Sequence, residues 1–119
     1  MVKVLIVEDD LILCLLNRKN VELLGHTVVA TATSGLAAIE AVKEHNPDVI
    51  LMDLRLEGEL DGIDTMNEIA KFANTPVIYI TGNSDERSKE RAAETNLLGF
   101  CIKPINFQQL QMLFLQVKP

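Results

Sequence analysis

A chain of 119 residues suits one domain around one hydrophobic core, and 48% hydrophobic with 24% charged residues is ordinary for a soluble globular protein. Aromatics at 4%, with no Trp, make that core aliphatic. A net charge of −6 and a pI of about 4.8 disfavour direct nucleic-acid binding, no Lys/Arg cluster suggests an anionic membrane, and Cys14 and Cys101, set among apolar residues, read as buried reduced thiols.

The N-terminus has no signal-peptide layout, and the apolar run Leu11 to Leu16 is too short to span a membrane, so a cytoplasmic location is expected. Val2 to Val7 is a short β-branched run that fits a strand buried on both faces. Asp9 or Asp10 can cap a helix that runs to Leu24 and stops at Gly25. His26 to Ala32 reads as a second strand. Ser34 can cap a helix with Leu36, Ile39 and Val42 on one face, and Asn46-Pro47 breaks it. Val49 to Met52 is a third strand with Asp53 at its end. A polar loop, 55–62, leads to a helix with Ile63, Met66, Ala70 and Ala73 at helical spacing. Pro76 opens a fourth strand that ends at Thr81. Asn83 or Ser84 can cap a fourth helix, with Asp85 and Glu86 at its positive end. Phe100 to Ile102 is the fifth strand, ending at Lys103-Pro104, and Asn106 or Phe107 begins the last helix. Five strand–helix units predict a mostly parallel sheet with helices on both faces, one domain over 1–119.

Polar residues follow the apolar strands directly: Glu8-Asp9-Asp10 after the first, Asp53 after the third, Thr81 after the fourth and Lys103 after the fifth. In open α/β sheets ligands bind outside the carboxyl ends of the strands, so these residues should converge on one pocket. Carboxylates crowded there repel one another unless protonated or neutralised. A hard divalent ion such as Mg²⁺, with its preference for oxygen ligands, is the natural remedy. With the Lys103 ammonium and the Thr81 hydroxyl, the set suits phosphoryl transfer, which depends on positioning and charge neutralisation, and a carboxylate can serve as nucleophile.

At this point the chain resembles the receiver domain of two-component response regulators. The residues that carry the resemblance are VLIVEDD at 4–10, VILMDLRLEGELDGI at 49–63, VIYITG at 77–82 and GFCIKPI at 99–105. Each motif alone is weak. All four, in this order and at these intervals, are specific and cover essentially the whole chain. The resemblance implies a flavodoxin-like, doubly wound sheet of strand order 2-1-3-4-5 with five helices. It implies a domain that takes a phosphoryl group from a histidine kinase or phosphotransfer protein and switches its contacts with a downstream output protein or domain, without enzymatic turnover beyond its own phosphorylation and dephosphorylation. Asp53 resembles the phosphoacceptor. Asp9, Asp53 and the backbone carbonyl of Arg55 match direct ligands of Mg²⁺, or of Mn²⁺ in its place, and Glu8 matches the neighbour that acts through water. Thr81 resembles the hydroxyl residue that reorients toward the phosphoryl group, Lys103 the lysine that pairs with it, and Phe100 the switch aromatic. Pro104 matches a proline preceded by a cis peptide bond.

The chain also departs from the family pattern. The loop after Asp53, RLEGELDG, lacks the common proline and is one residue longer than the commonest form. Glu57 and Glu59 are expected to be solvated loop carboxylates. Gly82 stands where alanine is frequent, and Phe100 replaces the frequent tyrosine, so an aromatic switch must work by packing alone. Leu98 and Gly99 occupy places where many transcription-factor receivers carry acids, which disfavours dimerisation through a salt-bridged last strand. Leu11 to Leu16 and Met112 to Leu115 are consecutive apolar stretches that must leave some side chains exposed, so these helix faces are candidates for a partner surface or a homodimer contact. Asp10 is expected as a helix cap, Tyr79 as core, and His26 and His45 as surface residues without matching partners; two His and two Cys make a zinc site improbable. Two other functions compete with the phosphoacceptor: a non-phosphorylated binding module, which need not bind Mg²⁺, and an aspartyl phosphohydrolase, which would need an acid where Arg55 stands.

Overall fold

The structure is a computed structural model that describes residues 1–82 and 86–118. Its elements alternate strictly: β1 (Lys3–Val7), α1 (Leu11–Leu23), β2 (Thr27–Ala32), α2 (Gly35–His45), β3 (Val49–Asp53), α3 (Gly62–Ile69), β4 (Val77–Thr81), α4 (Glu86–Ala93), β5 (Leu97–Ile102) and α5 (Phe107–Phe114). The five strands form one parallel sheet in the order β2-β1-β3-β4-β5. This is the flavodoxin-like receiver topology that the motifs imply.

The strand period of two divides the core between the two faces. Leu5, Val7, Ile50, Met52, Val77 and Tyr79 point to the layer of α2, α3 and α4, where Ala38, Val42, Ile63, Met66, Ile69 and Ala92 meet them. Val4, Ile6, Val49, Leu51, Ile78 and Ile80 point to α1 and α5, against Cys14, Val21, Leu110, Phe114 and Val117. Every residue of β3 and β4 is buried. Roughly 1.5–3 kcal/mol for each large aliphatic side chain taken from water lets these strands carry polar residues at their ends. Both cysteines are free and buried.

Several boundaries and faces differ from the sequence reading. β5 begins at Leu97, three residues early, because residues 97–102 pair with the fully buried β4 even though Leu97 to Phe100 are only half-buried themselves. On α2 the inward residues are Gly35, Ala38 and Val42, and Leu36 is 60% exposed: the start at Gly35 rotates the buried face away from it. α3 ends at Ile69, so Ala70 is its exposed C-cap and Ala73 lies beyond the helix, packed at the core edge. The caps at Asp10, Ser34 and Asn106 are made by their side chains. The expected cap at Asn83 or Ser84, with Asp85, lies outside the described residues.

His26 is not the unpartnered surface residue expected of it. Its Nδ1 accepts a hydrogen bond from the Val2 N–H at 3.1 Å, and its ring meets Phe114 edge-on at 5.0 Å. Burial, and then the charged N-terminus, hold its pKa below the ordinary 6.5. The unfolded chain therefore binds more protons just below pH 6.5, and this contribution to stability is lost as pH falls through that value. A proton NMR titration should give an imidazole pKa below 6.5 with Nε2 carrying the hydrogen. A value at or above 6.5 would contradict the contact.

Candidate functional site

β1 and β3 are neighbours, and Val7 is level with Met52. Glu8 and Asp9, just beyond β1, therefore lie beside Asp53, the last residue of β3. One carboxylate oxygen from each of the three lies within 4.8 Å of the others. Glu8 and Asp53 are buried, and Asp9 is more open to solvent. Lys103, just past β5, reaches across from the far side, with its Nζ 3.4 Å from Glu8 Oε1 and 3.5 Å from Asp53 Oδ2. The peptide bond from Lys103 to Pro104 is cis.

The carboxylates are held by backbone donors. The Arg55 N–H donates to Asp53 Oδ1 at 3.1 Å, the Asp10 N–H to Glu8 Oε2 at 3.2 Å, and the Glu57 N–H to Asp9 Oδ2 at 3.3 Å. The last bond brings the long loop back over the site. The next residue, Gly58, has φ +107, a conformation that glycine adopts without strain. Thr81 is buried at the end of β4, one position beyond the residue level with Asp53. Phe100 is half-buried on β5, its ring 5.7 Å from that of Tyr79.

Glu8 is the electrostatic misfit. Burial first, then hydrogen bonding and charge repulsion from Asp53, push its pKa up from 4.5 to about 7, against the opposing pull of the Asp10 N–H and Lys103. Its Oε1 is buried without a hydrogen bond among the described residues; the 3.4 Å approach of Lys103 is an ion pair. An orphaned buried carboxylate oxygen beside two other acids fits a site built to coordinate a divalent cation. All the donors are oxygens, which suits a hard ion.

Behind Asp53, the first turn of α3 touches the strand backbone. The Gly62 N–H donates to the Leu54 carbonyl at 3.1 Å. A Cβ at Gly62 would overlap the Asp53 carbonyl oxygen and lie 2.9 Å from Met52 Cγ. The overlapped oxygen is strand backbone, so a side chain there would require β3 or α3 to shift. Gly62→Ala is expected to destabilise the fold by about 1–3 kcal/mol, as overpacked cores do, read as a lower denaturant midpoint with the slope unchanged. An unchanged midpoint would mean that this contact is softer than it looks.

The structure thus gathers the carboxylates of Glu8, Asp9 and Asp53, sets Lys103 against Glu8 and Asp53, and places Thr81, buried, at the end of the neighbouring strand, with Phe100 on β5. Sequence reasoning missed three contributors: the Glu57 N–H on Asp9, the close approach at Gly62, and Arg91, which binds Asp61 and Asp64. The Asp61-x-x-Asp64 spacing is a variant of the helix capping signature and could have been noticed. The bond from Arg91, 27 residues beyond Asp64, has no local signal.

Residues 4–114 match the family model described as the response regulator receiver domain. Over 112 residues the chain is 36% identical to the transcriptional regulatory protein ZraR of Klebsiella oxytoca, covering 93% of this chain and 25% of that protein. It is 31% identical over 110 residues to a probable C4-dicarboxylate response regulator, DctR, of Priestia megaterium, covering 91% of this chain and 48% of that one. The chain therefore spans between a quarter and about half the length of these curated relatives. Among solved structures, the signal receiver domain of a modulated diguanylate cyclase from Desulfovibrio desulfuricans superposes with a TM-score of 0.88 at 32% identity, covering 96% of this chain and 90% of that one. The N-terminal domain of a response regulator/sensory box/GGDEF three-domain protein from Carboxydothermus hydrogenoformans gives 0.84 at 30%, covering 94% and 90%.

Proposed function

Because the chain belongs to the response regulator receiver family, we propose that residues 1–119 are a receiver domain that accepts a phosphoryl group from the phosphohistidine of a histidine kinase or phosphotransfer protein onto Asp53. The observation that carries this reading is the cluster of Glu8, Asp9 and Asp53 oxygens with Lys103 Nζ on two of the three acids. The domain is not a turnover enzyme; the covalent chemistry is on itself.

Glu8, Asp9, Asp53 and the Arg55 carbonyl would hold Mg²⁺, or Mn²⁺ in its place. Bound there, the cation would neutralise the acids and the equatorial phosphoryl oxygens. A carboxylate oxygen of Asp53 attacks phosphorus as the P–N bond to the donor imidazole breaks, and the imidazole takes up a proton from solvent. The Arg55 N–H on Oδ1 fixes the carboxylate plane. Lys103, already at Oδ2, pairs with a phosphoryl oxygen, and the Thr81 hydroxyl donates to another. The product carries roughly −1.5 to −2 charges. Drawing Thr81 inward moves the end of β4 and, through packing alone, the Phe100 ring.

The output lies in a partner or in further sequence. Leu11, Ile12 and Leu15 on α1, and Met112 and Leu115 at α5, are each more than 60% exposed, and these apolar helix faces suit a protein partner or a second copy of the chain. Among the described residues no helix is long and apolar enough to cross a membrane.

Incubation with acetyl phosphate and Mg²⁺ should add one phosphoryl mass to the intact chain, absent when EDTA replaces Mg²⁺. No mass gain at any Mg²⁺ concentration would favour a pure binding module.

A further inference from the structure

The N-terminus of α3 is built from two acids that share their oxygens between two tasks. The Asp64 N–H donates to Asp61 Oδ1 at 2.7 Å, and the Asp61 N–H donates to Asp64 Oδ2 at 3.3 Å, closing a reciprocal cap. The oxygens left over, Asp61 Oδ2 and Asp64 Oδ1, face α4. There Arg91 Nη1 donates to the first at 3.3 Å and Nη2 to the second at 3.0 Å. One guanidinium fork thus bridges two carboxylates that the cap forces together and that would otherwise repel.

This bridge joins two parts of the fold that matter to the site. On one side, Asp61 precedes Gly62, whose backbone lies against the Asp53 carbonyl. On the other is α4, of whose eight residues Ala92 is the one that is buried. Past its C-terminal end, the Thr95 hydroxyl meets the Tyr79 hydroxyl at 2.9 Å, and Tyr79 packs on Phe100.

We infer that Arg91 is a positioning residue for Asp53: its bridge to Asp61 and Asp64 presses the first turn of α3 against the phosphoacceptor backbone and sets where α4 sits. The inference rests on the phosphoacceptor reading. It depends on the planar fork as well as on the charge, since the guanidinium presents two separate nitrogens in fixed geometry to the two oxygens, whereas a lysine ammonium is a single point charge on a flexible stem.

The test compares the unsubstituted chain, Arg91→Gln, Arg91→Lys and Asp64→Asn. Each is assayed well below its melting temperature for labelling by saturating acetyl phosphate in Mg²⁺. The fluorescence of Tyr79, the single tyrosine in a chain without tryptophan, is recorded with and without beryllofluoride. Arg91→Gln should lower the saturating labelling rate by about two- to fivefold, the range that partly exposed ion pairs reach, with the half-saturating donor concentration unchanged. Arg91→Lys should recover only part of the rate. The tyrosine response to beryllofluoride should shrink in step. Adding Arg91→Gln to Asp64→Asn should cost less than it does in the unsubstituted chain. Labelling and tyrosine response equal to the unsubstituted chain, or a loss of thermal stability alone, would overturn the inference and leave the phosphoacceptor reading standing. Failure of the unsubstituted chain to label would overturn that reading, and the inference with it.

Discussion

Asp53→Asn is expected to lose phosphoryl uptake by about 10³-fold or more, because an amide oxygen is no nucleophile toward phosphorus. The substitution is isosteric, and the amide oxygen can still accept the Arg55 N–H that Asp53 Oδ1 accepts now. The fold should therefore survive. The metal-free variant should be as stable as the unsubstituted chain or more so, because one of three crowded carboxylates loses its charge. The check is intact mass after acetyl phosphate and Mg²⁺, alongside a denaturation curve. Labelling of the variant at the original rate would move the phosphoacceptor to another acid and undo the proposed function. A collapsed denaturation midpoint would instead show that Asp53 serves the fold.

Glu8→Gln should have effects of opposite sign in the two states of the site. In the metal-free protein Glu8 is buried beside Asp53 and its pKa is raised to about 7. A carboxyl that titrates higher in the folded than in the unfolded chain favours folding below the unfolded value, and that contribution is lost as pH rises through the folded one. Stability of the metal-free protein should fall between pH 4.5 and about 7, with a slope of at most about 1.4 kcal/mol per pH unit from this one proton. The glutamine variant should lose that slope and be the more stable protein at pH 8. With Mg²⁺ the order should reverse. The ion stabilises the native state according to its affinity, and removing a ligand charge should weaken that affinity by about tenfold or more. Thermal melts at pH 5 and 8, with and without Mg²⁺, decide the matter. If the variant melts lower than the parent in EDTA at pH 8, the burden assigned to Glu8 is wrong.

Both expectations concern residues that were readable in the sequence, and the reason is geometric. A parallel sheet places the end of every strand on one edge, so an acid after β1, an acid at the end of β3 and a lysine after β5 must meet once the strand order is known. That order came from the motifs as a set; periodicity alone does not distinguish it from others. Individual helix faces were less legible. Leu36 looked inward from its spacing with Ile39 and Val42, but the cap at Ser34 starts the helix so that Gly35 and Ala38 face the sheet. His26 looked solitary because its partner is the backbone N–H of Val2, just before β1, which no residue type announces. Arg91 was unreadable for a similar reason: α4 is so polar that every charge on it looks solvated, and only the docked geometry of α3 picks one out.

Lys103 touches two of the three acids at once. With all three ionised, three negative charges and one positive leave the pocket at −2. A monovalent ion entering it would still strand one carboxylate, whereas a divalent ion brings the sum to zero. By this charge count sodium or potassium would leave the pocket at −1, and Lys103 would set the valence of the ion that suits it.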